Sequence, residues 1–141
     1  MKTFLPYIHT VQYYETDKMG ITHHSNYIRW MEEARVDFLE QMNLGYDVME
    51  RAGIISPVLA VECEYKSMTR FAETVVIAVR LTYYTGVRFD VEYEMRDEAS
   101  GELRAKGRTS HCFLDQNGKP TALKRRNPEW DAILRGAVFE E

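Results

Sequence analysis

Two cysteines in 141 residues, Cys63 and Cys112, are too few for a disulfide framework, and they form neither a CxxC pair nor a Cys/His ligand spacing. Both fall in strand-like runs, which predicts buried free thiols. No apolar run is long enough to span a bilayer, so no membrane partner is expected. The opening MKTFLPYIHT carries a single Lys and no sustained apolar stretch, unlike a signal peptide, and a cytoplasmic protein is the expectation. Positive charge is not in excess: the net charge of −4 argues against nucleic acid as a partner. Lys124, Arg125 and Arg126 form the one tight basic cluster, and three adjacent charges ordinarily mark a solvated surface. There is no Walker loop, GxGxxG, GxSxG or HExxH, and no clustered ligand set for a metal.

What is present is an ordinary globular composition, 45% apolar and 28% charged, of a length that suits one domain over residues 1–141. Residues 4–15 read as a first strand. A helix is predicted from Ser25 to Met42, because Tyr27, Ile28, Trp30, Met31, Ala34, Phe38, Leu39 and Met42 share one half of its circumference. Arg29, Glu32, Glu33, Asp37 and Glu40 occupy the other half. An apolar arc this wide predicts a helix partly wrapped by other structure. Gly45 is the expected C-cap, and a short second helix over Tyr46–Ala52 is expected to stop at Gly53.

From residue 58 the period changes to two. Leu59, Val61, Cys63 and Tyr65 alternate with polar neighbours, then Val75, Ile77, Val79, Leu81 and Tyr83, then Phe89, Val91, Tyr93 and Met95. Residues 102–114 form a further predicted strand, and Asn117-Gly118 signals a hairpin leading to a short strand near 120–124. Asn127-Pro128-Glu129 reads as the N-cap, first position and first-turn acid of a terminal helix. One long helix plus a run of antiparallel strands makes an α+β domain, with a curved sheet around the helix.

The run from Tyr13 to Leu39 carries the chemistry. A carboxylate, Asp17, follows a strand-like segment, Gly20 breaks the chain, and the long helix begins near His24. A helix N-terminus offers unpaired N–H groups and positive dipole charge. A carboxylate beside such donors can attack or hydrate a carbonyl while the donors hold the developing oxyanion. The competing reading of Asp17 is a turn aspartate, common beside glycine.

Tyr13, Thr16, Asp17, Gly20, His24, Asn26 and Tyr27, with Glu32, Ala34 and Arg35 on the helix, resemble the hotdog-fold acyl-CoA thioesterases of the 4-hydroxybenzoyl-CoA thioesterase-like type. Weaker matches are Tyr65 with Arg70, and Phe113-Leu114-Asp115 with Gly118-Lys119-Pro120. The resemblance spans essentially the whole chain. It implies a hotdog fold, a curved antiparallel sheet wrapped around one long central α-helix. It also implies hydrolysis of acyl-CoA with no cofactor beyond the coenzyme A of the substrate itself, and a homodimer or homotetramer. Asp17 is then the catalytic carboxylate, either nucleophile or base. The His24 N–H polarises the thioester carbonyl, the His24 side chain bonds substrate or Asp17, and Tyr13 lines the site on the strand face of Asp17. Gly20, His23, Asn26 and Tyr27 shape the substrate site; Asn26 orients Asp17 or a water, and core packing competes for Tyr27. Many relatives have an aromatic or apolar residue where His23 stands.

Coenzyme A carries phosphates, and Arg70, Arg108, Lys124, Arg125 and Arg126 are the candidate cations for them. Arg35, within the apolar arc, needs a partner, with Glu32 or a second subunit expected to supply it. His9 and His111 lie in strand-like runs and are assigned to structure. Rival classes are a hotdog dehydratase, an acyl carrier protein thioesterase, and an acyl-binding module without catalysis.

Overall fold

The computed structural model describes residues 3–140. In chain order the elements are β1 (Tyr7–Thr10), a 3-10 turn (Tyr13–Glu15), α1 (Ser25–Glu40), α2 (Tyr46–Arg51), β2 (Val58–Tyr65), β3 (Thr74–Tyr84), β4 (Arg88–Asp97), β5 (Leu103–Cys112), α3 (Leu123–Arg126) and α4 (Pro128–Ala137). The five strands form one antiparallel sheet in the order β1-β3-β4-β5-β2. This is the hotdog arrangement: α1 lies against the inner face of the sheet.

The apolar stripe of α1 makes that packing. Tyr27, Trp30, Met31, Ala34, Phe38 and Leu39 are buried, and they meet Val75, Ile77, Leu81, Phe89, Val91, Tyr93 and Met95 from β3 and β4. Ile28, at the margin of the arc, is 42% exposed and does not join them. Gly107 in β5 is required by close approach: a Cβ there would collide with the Met31 sulfur.

Several expectations are corrected. The first strand is only Tyr7–Thr10; the chain then curls into the 3-10 turn instead of continuing to residue 15. The first helix ends through Asn43, not Gly45. Asn43 takes the left-handed conformation (φ 60°), and the Leu44 N–H reaches back to the Leu39 carbonyl at 2.9 Å. Gly45 instead precedes α2 as its N-cap. The strand expected near 120–124 is reduced to a single bridge between Leu114 and Pro120, after which Leu123–Arg126 turns helical. Burial of Leu123 beneath the β3–β4 turn, its N–H bonded to the Gly86 carbonyl at 2.7 Å, accounts for that turn. Asn127 does cap α4, accepting from the Trp130 N–H at 3.1 Å, with Pro128 at the first helical position.

Arg35 is buried, but no carboxylate among the described residues meets it. Its guanidinium donates to the Tyr46 hydroxyl at 2.8 Å and the Tyr93 hydroxyl at 2.9 Å; Glu32 is on the exposed side. Cys112 is buried and Cys63 only half-buried, both as free thiols. His111 is wholly buried and stacked on Phe89 at 4.6 Å, with Nε2 2.8 Å from the Thr109 hydroxyl. Among the described residues no helix is long and apolar enough to cross a membrane.

Candidate active site

The segment after β1 builds the site. The 3-10 turn brings the chain to Thr16, which forms a bridge with Thr22, so residues 17–21 make a tight loop. The loop closes through the Asp17 N–H to the Ile21 carbonyl at 2.9 Å and the Gly20 N–H to the Asp17 carbonyl at 3.0 Å. Gly20 is left-handed (φ 77°), a conformation that favours glycine, and this is why it follows the loop tip. The Asp17 side chain accepts the Met19 N–H at 2.8 Å through one oxygen. Its other oxygen has no protein partner among the described residues.

The loop is pinned to the start of α1 and to the segment after β2. The Thr22 and Thr69 hydroxyls bond one another in the interior, and the Tyr27 hydroxyl joins Thr69 at 3.1 Å. The Thr22 N–H also donates to the Thr69 carbonyl at 2.9 Å. At the helix start, His23 Nδ1 accepts both the Ser25 N–H at 3.2 Å and the Ser25 hydroxyl at 2.9 Å. The His23 N–H is taken by the Glu15 carbonyl at 2.8 Å, whereas the His24 N–H has no protein acceptor among the described residues. The His24 ring stacks on His23 at 4.3 Å and meets the Tyr65 ring edge-on at 6.3 Å.

Asp17 and His24 line one open cleft of about 390 Å³. Its walls are mostly apolar, from Met19, Ile21, Tyr27, Tyr65 and Met68, with Thr22, Lys66 and Ser67 supplying polar groups. An acid and a residue with an unpaired N–H at a helix start thus line one largely apolar cavity. Such an arrangement can hold an apolar acyl group, stabilise an oxyanion and deliver a carboxylate to the carbonyl.

Other candidates lie elsewhere. Tyr13 is on the 3-10 turn, 76% exposed, edge-on to Phe71 at 5.7 Å, and does not line the cleft; the strand pitch expected to align it with Asp17 is absent. Asn26 is buried and donates to the main-chain carbonyls of Glu15 at 2.9 Å and His23 at 3.3 Å, so it braces the loop and does not touch Asp17. No hydrogen bond joins the His24 ring to Asp17 either. His23 and Gly20 flank the cleft without lining it.

The cations also divide. Arg70 is exposed, with its main-chain N–H on Glu73 at 2.7 Å. Arg108 is paired with Asp90 at 2.6 Å. Arg125 and Arg126 sit on α3, where Arg126 donates to the Ala52 carbonyl at 2.9 Å. That corner lies at the far end of the sheet, because Val58 at the start of β2 pairs with His111, whereas Tyr65 at the cleft pairs with Ala105. Within one protomer Arg125 and Arg126 do not reach the cleft, and neither Arg70 nor Arg108 lines it. The cleft's own cation, Lys66, went unread in the sequence: it follows the last residue of a strand and shows no pattern of its own. Met19 and Met68 escaped for the same reason.

The fold is that of the hotdog thioester hydrolases. A model of the thioesterase-like superfamily matches residues 11–137, and the chain belongs to that superfamily. It is 35% identical over 128 residues to the Bacillus subtilis (strain 168) protein named "Putative acyl-CoA thioesterase YneP", covering 90% of this chain and 92% of that one. A solved DHNA-CoA thioesterase from Staphylococcus aureus superposes with a TM-score of 0.89 at 33% identity, over 94% of this chain and 89% of the other. A hypothetical protein of Aquifex aeolicus gives 0.83 at 33% identity, over 92% and 98%.

Proposed function

We propose that this chain hydrolyses acyl-CoA, with Asp17 acting at the thioester carbon and the His24 N–H holding the oxyanion. The observation that carries this reading is that Asp17 and His24, each with one unsatisfied group, line the same largely apolar cleft. Water adds to the carbonyl, the C–S bond breaks, and the products are the free acid and the coenzyme A thiol. Asp17 takes part either as base on that water or as nucleophile forming a mixed anhydride that water then opens. No metal or prosthetic group enters the scheme, and its proposed setting is the cytoplasm.

The scheme includes a homodimer. β2 is an edge strand whose apolar residues are left largely uncovered: Leu59 is 47%, Val61 40% and Tyr65 48% exposed, and only Cys63 between them is partly buried. Exposed edges invite pairing. If β2 pairs with the β2 of a second copy about a two-fold axis normal to the sheet, the strands run antiparallel. The start of one β2 then lies beside the end of the other. That brings the Ala52–Arg126 corner of the second copy toward the cleft of the first, and gives Arg125 and Arg126 access to the nucleotide phosphates from across the boundary.

The test is Asp17→Asn assayed for thiol release over a panel of acyl-CoA substrates. Turnover should fall by about 10² or more with the melting temperature little changed. Wild-type turnover in the folded variant would remove Asp17 from the mechanism.

A further inference from the structure

Two residues before Asp17, Glu15 is a buried carboxylate, 4% exposed, that takes no part in the chemistry above. Its Oε1 accepts from His9 Nε2 on β1 at 2.8 Å and from the Gln12 N–H of its own turn at 2.8 Å. Its Oε2 accepts from Trp30 Nε1 on α1 at 2.6 Å. The main-chain carbonyl of the same residue accepts the His23 N–H at 2.8 Å and the Asn26 side-chain amide at 2.9 Å. One residue therefore ties the strand before the site loop, the turn leading into it, the helix body and the helix start. Burial works to raise the Glu15 pKa, but the bonds from Gln12, His9 and Trp30 outweigh it and hold the carboxyl below its usual range.

Holding a charge in the interior is costly unless it is paired and fully bonded. An apolar side chain could fill the volume, but it could not accept three N–H groups from three parts of the chain. The carbonyl anchor also acts selectively at the helix start: it occupies the His23 N–H and leaves the next one, that of His24, free.

We infer that Glu15 is a positioning residue, which fixes the Asp17 loop against the start of α1 so that the carboxylate and the free His24 N–H keep the spacing the reaction needs. This rests on the hydrolase reading above, but the anchor itself can be tested apart from it. A displacement of about 1 Å in reacting groups can cost about 10²-fold in rate. Glu15→Gln keeps the size but turns an N–H₂ toward one of the three donors.

The folded Glu15→Gln protein should lose about 10²-fold in kcat with KM within about twofold, since nothing that binds the acyl chain is removed. In the same protein, amide exchange at His23 should quicken at least about tenfold as the Glu15 carbonyl shifts. A merely structural carboxylate would lower the melting temperature while leaving both readouts unchanged below it. Wild-type kcat with wild-type His23 protection overturns the inference. Should Glu15→Gln not fold, His9→Leu and His9→Gln carry the test. Leu removes one donor and should lower kcat, whereas Gln can still donate and should restore it; equal kcat in both overturns the proposal. If wild type releases no thiol from any acyl-CoA yet Glu15→Gln still exposes the His23 amide, the hydrolase reading falls and the anchor stands. If Asp17→Asn is inactive but the Glu15 variants behave as wild type, the anchor falls alone.

Discussion

Strands β4 and β2 carry the same sequence pattern and meet opposite fates. In β4 the alternating residues Phe89, Val91, Tyr93 and Met95 are all nearly sealed from solvent. In β2 the alternating residues Leu59, Val61 and Tyr65 stay 40–48% exposed. The difference is position: β4 is central, with a strand on either side and α1 above, while β2 is an edge that α1 covers only toward Tyr65. Period-two alternation says which residues share a face. It does not say whether the chain has anything left with which to cover that face. An apolar face left open on an edge strand is where the proposed dimer would pair, and Tyr65 at its end lines the cleft.

The contrast can be broken most forcefully in the centre. Met95→Ala, at a fully buried position, should cost about 2–5 kcal/mol of unfolding free energy, measured by urea denaturation. A cost near that of an exposed site would mean that the β4 side of the core is not packed as described.

Next comes a test on β5, the strand between the two. Burial, reinforced by the charge of Arg35, pulls the His111 pKa from 6.5 to about 4. The folded protein then keeps this ring neutral while the unfolded chain protonates it. The stabilisation is fully present above pH 6.5 and is lost as the pH falls toward about 4. The loss amounts to about 3 kcal/mol at about 1.4 kcal/mol per unit. His111→Phe should flatten the stability profile in that window. An unchanged profile would show that some other group titrates there.

The smallest effect on the protomer is expected at the edge. Val61→Lys puts a charge on an already exposed strand residue and should cost the protomer less than about 1 kcal/mol. It should nevertheless shift a dimer to monomer in light scattering and abolish thiol release, as the proposed β2 pairing requires. A variant that stays dimeric and active would move the interface to another surface.

These contrasts also measure what the sequence could convey. The α1 stripe, the β4 alternation and the Asn127-Pro128 cap were legible because each is a local pattern with a local cause. The Asp17–Gly20–His24 spacing is equally local: Gly20 shapes the loop that carries Asp17, and Asp17 and His24 line one cleft. Tyr13 misled because strand and 3-10 turn share similar short polar-aromatic sequences, and the turn is decided by the Glu15 carboxylate bonding the Gln12 N–H and the distant His9 and Trp30. Arg35 misled because its partners, Tyr46 and Tyr93, are brought to it only by the fold. Glu15 drew no reading of its own from the sequence; nothing within a few residues announces a carboxylate held by three elements. The basic residues on α3 were read for charge alone, and charge carries no information about which end of a sheet it will occupy.

The strand order β1-β3-β4-β5-β2 has a consequence for how the molecule assembles. The three middle strands are consecutive in sequence and joined by short turns, so they can zip as successive hairpins at little loop-closure cost. The two outer strands come first in the chain, and each must wait for a partner made later: β1 for β3, β2 for β5. Folding is therefore expected to proceed from the middle of the sheet outward, with β2 docking on the strand that closes the meander. The proposed association through β2 would then be the last event of the pathway and its only bimolecular one, so that a newly made chain would complete its catalytic cleft at a rate set by how often it meets another of its kind.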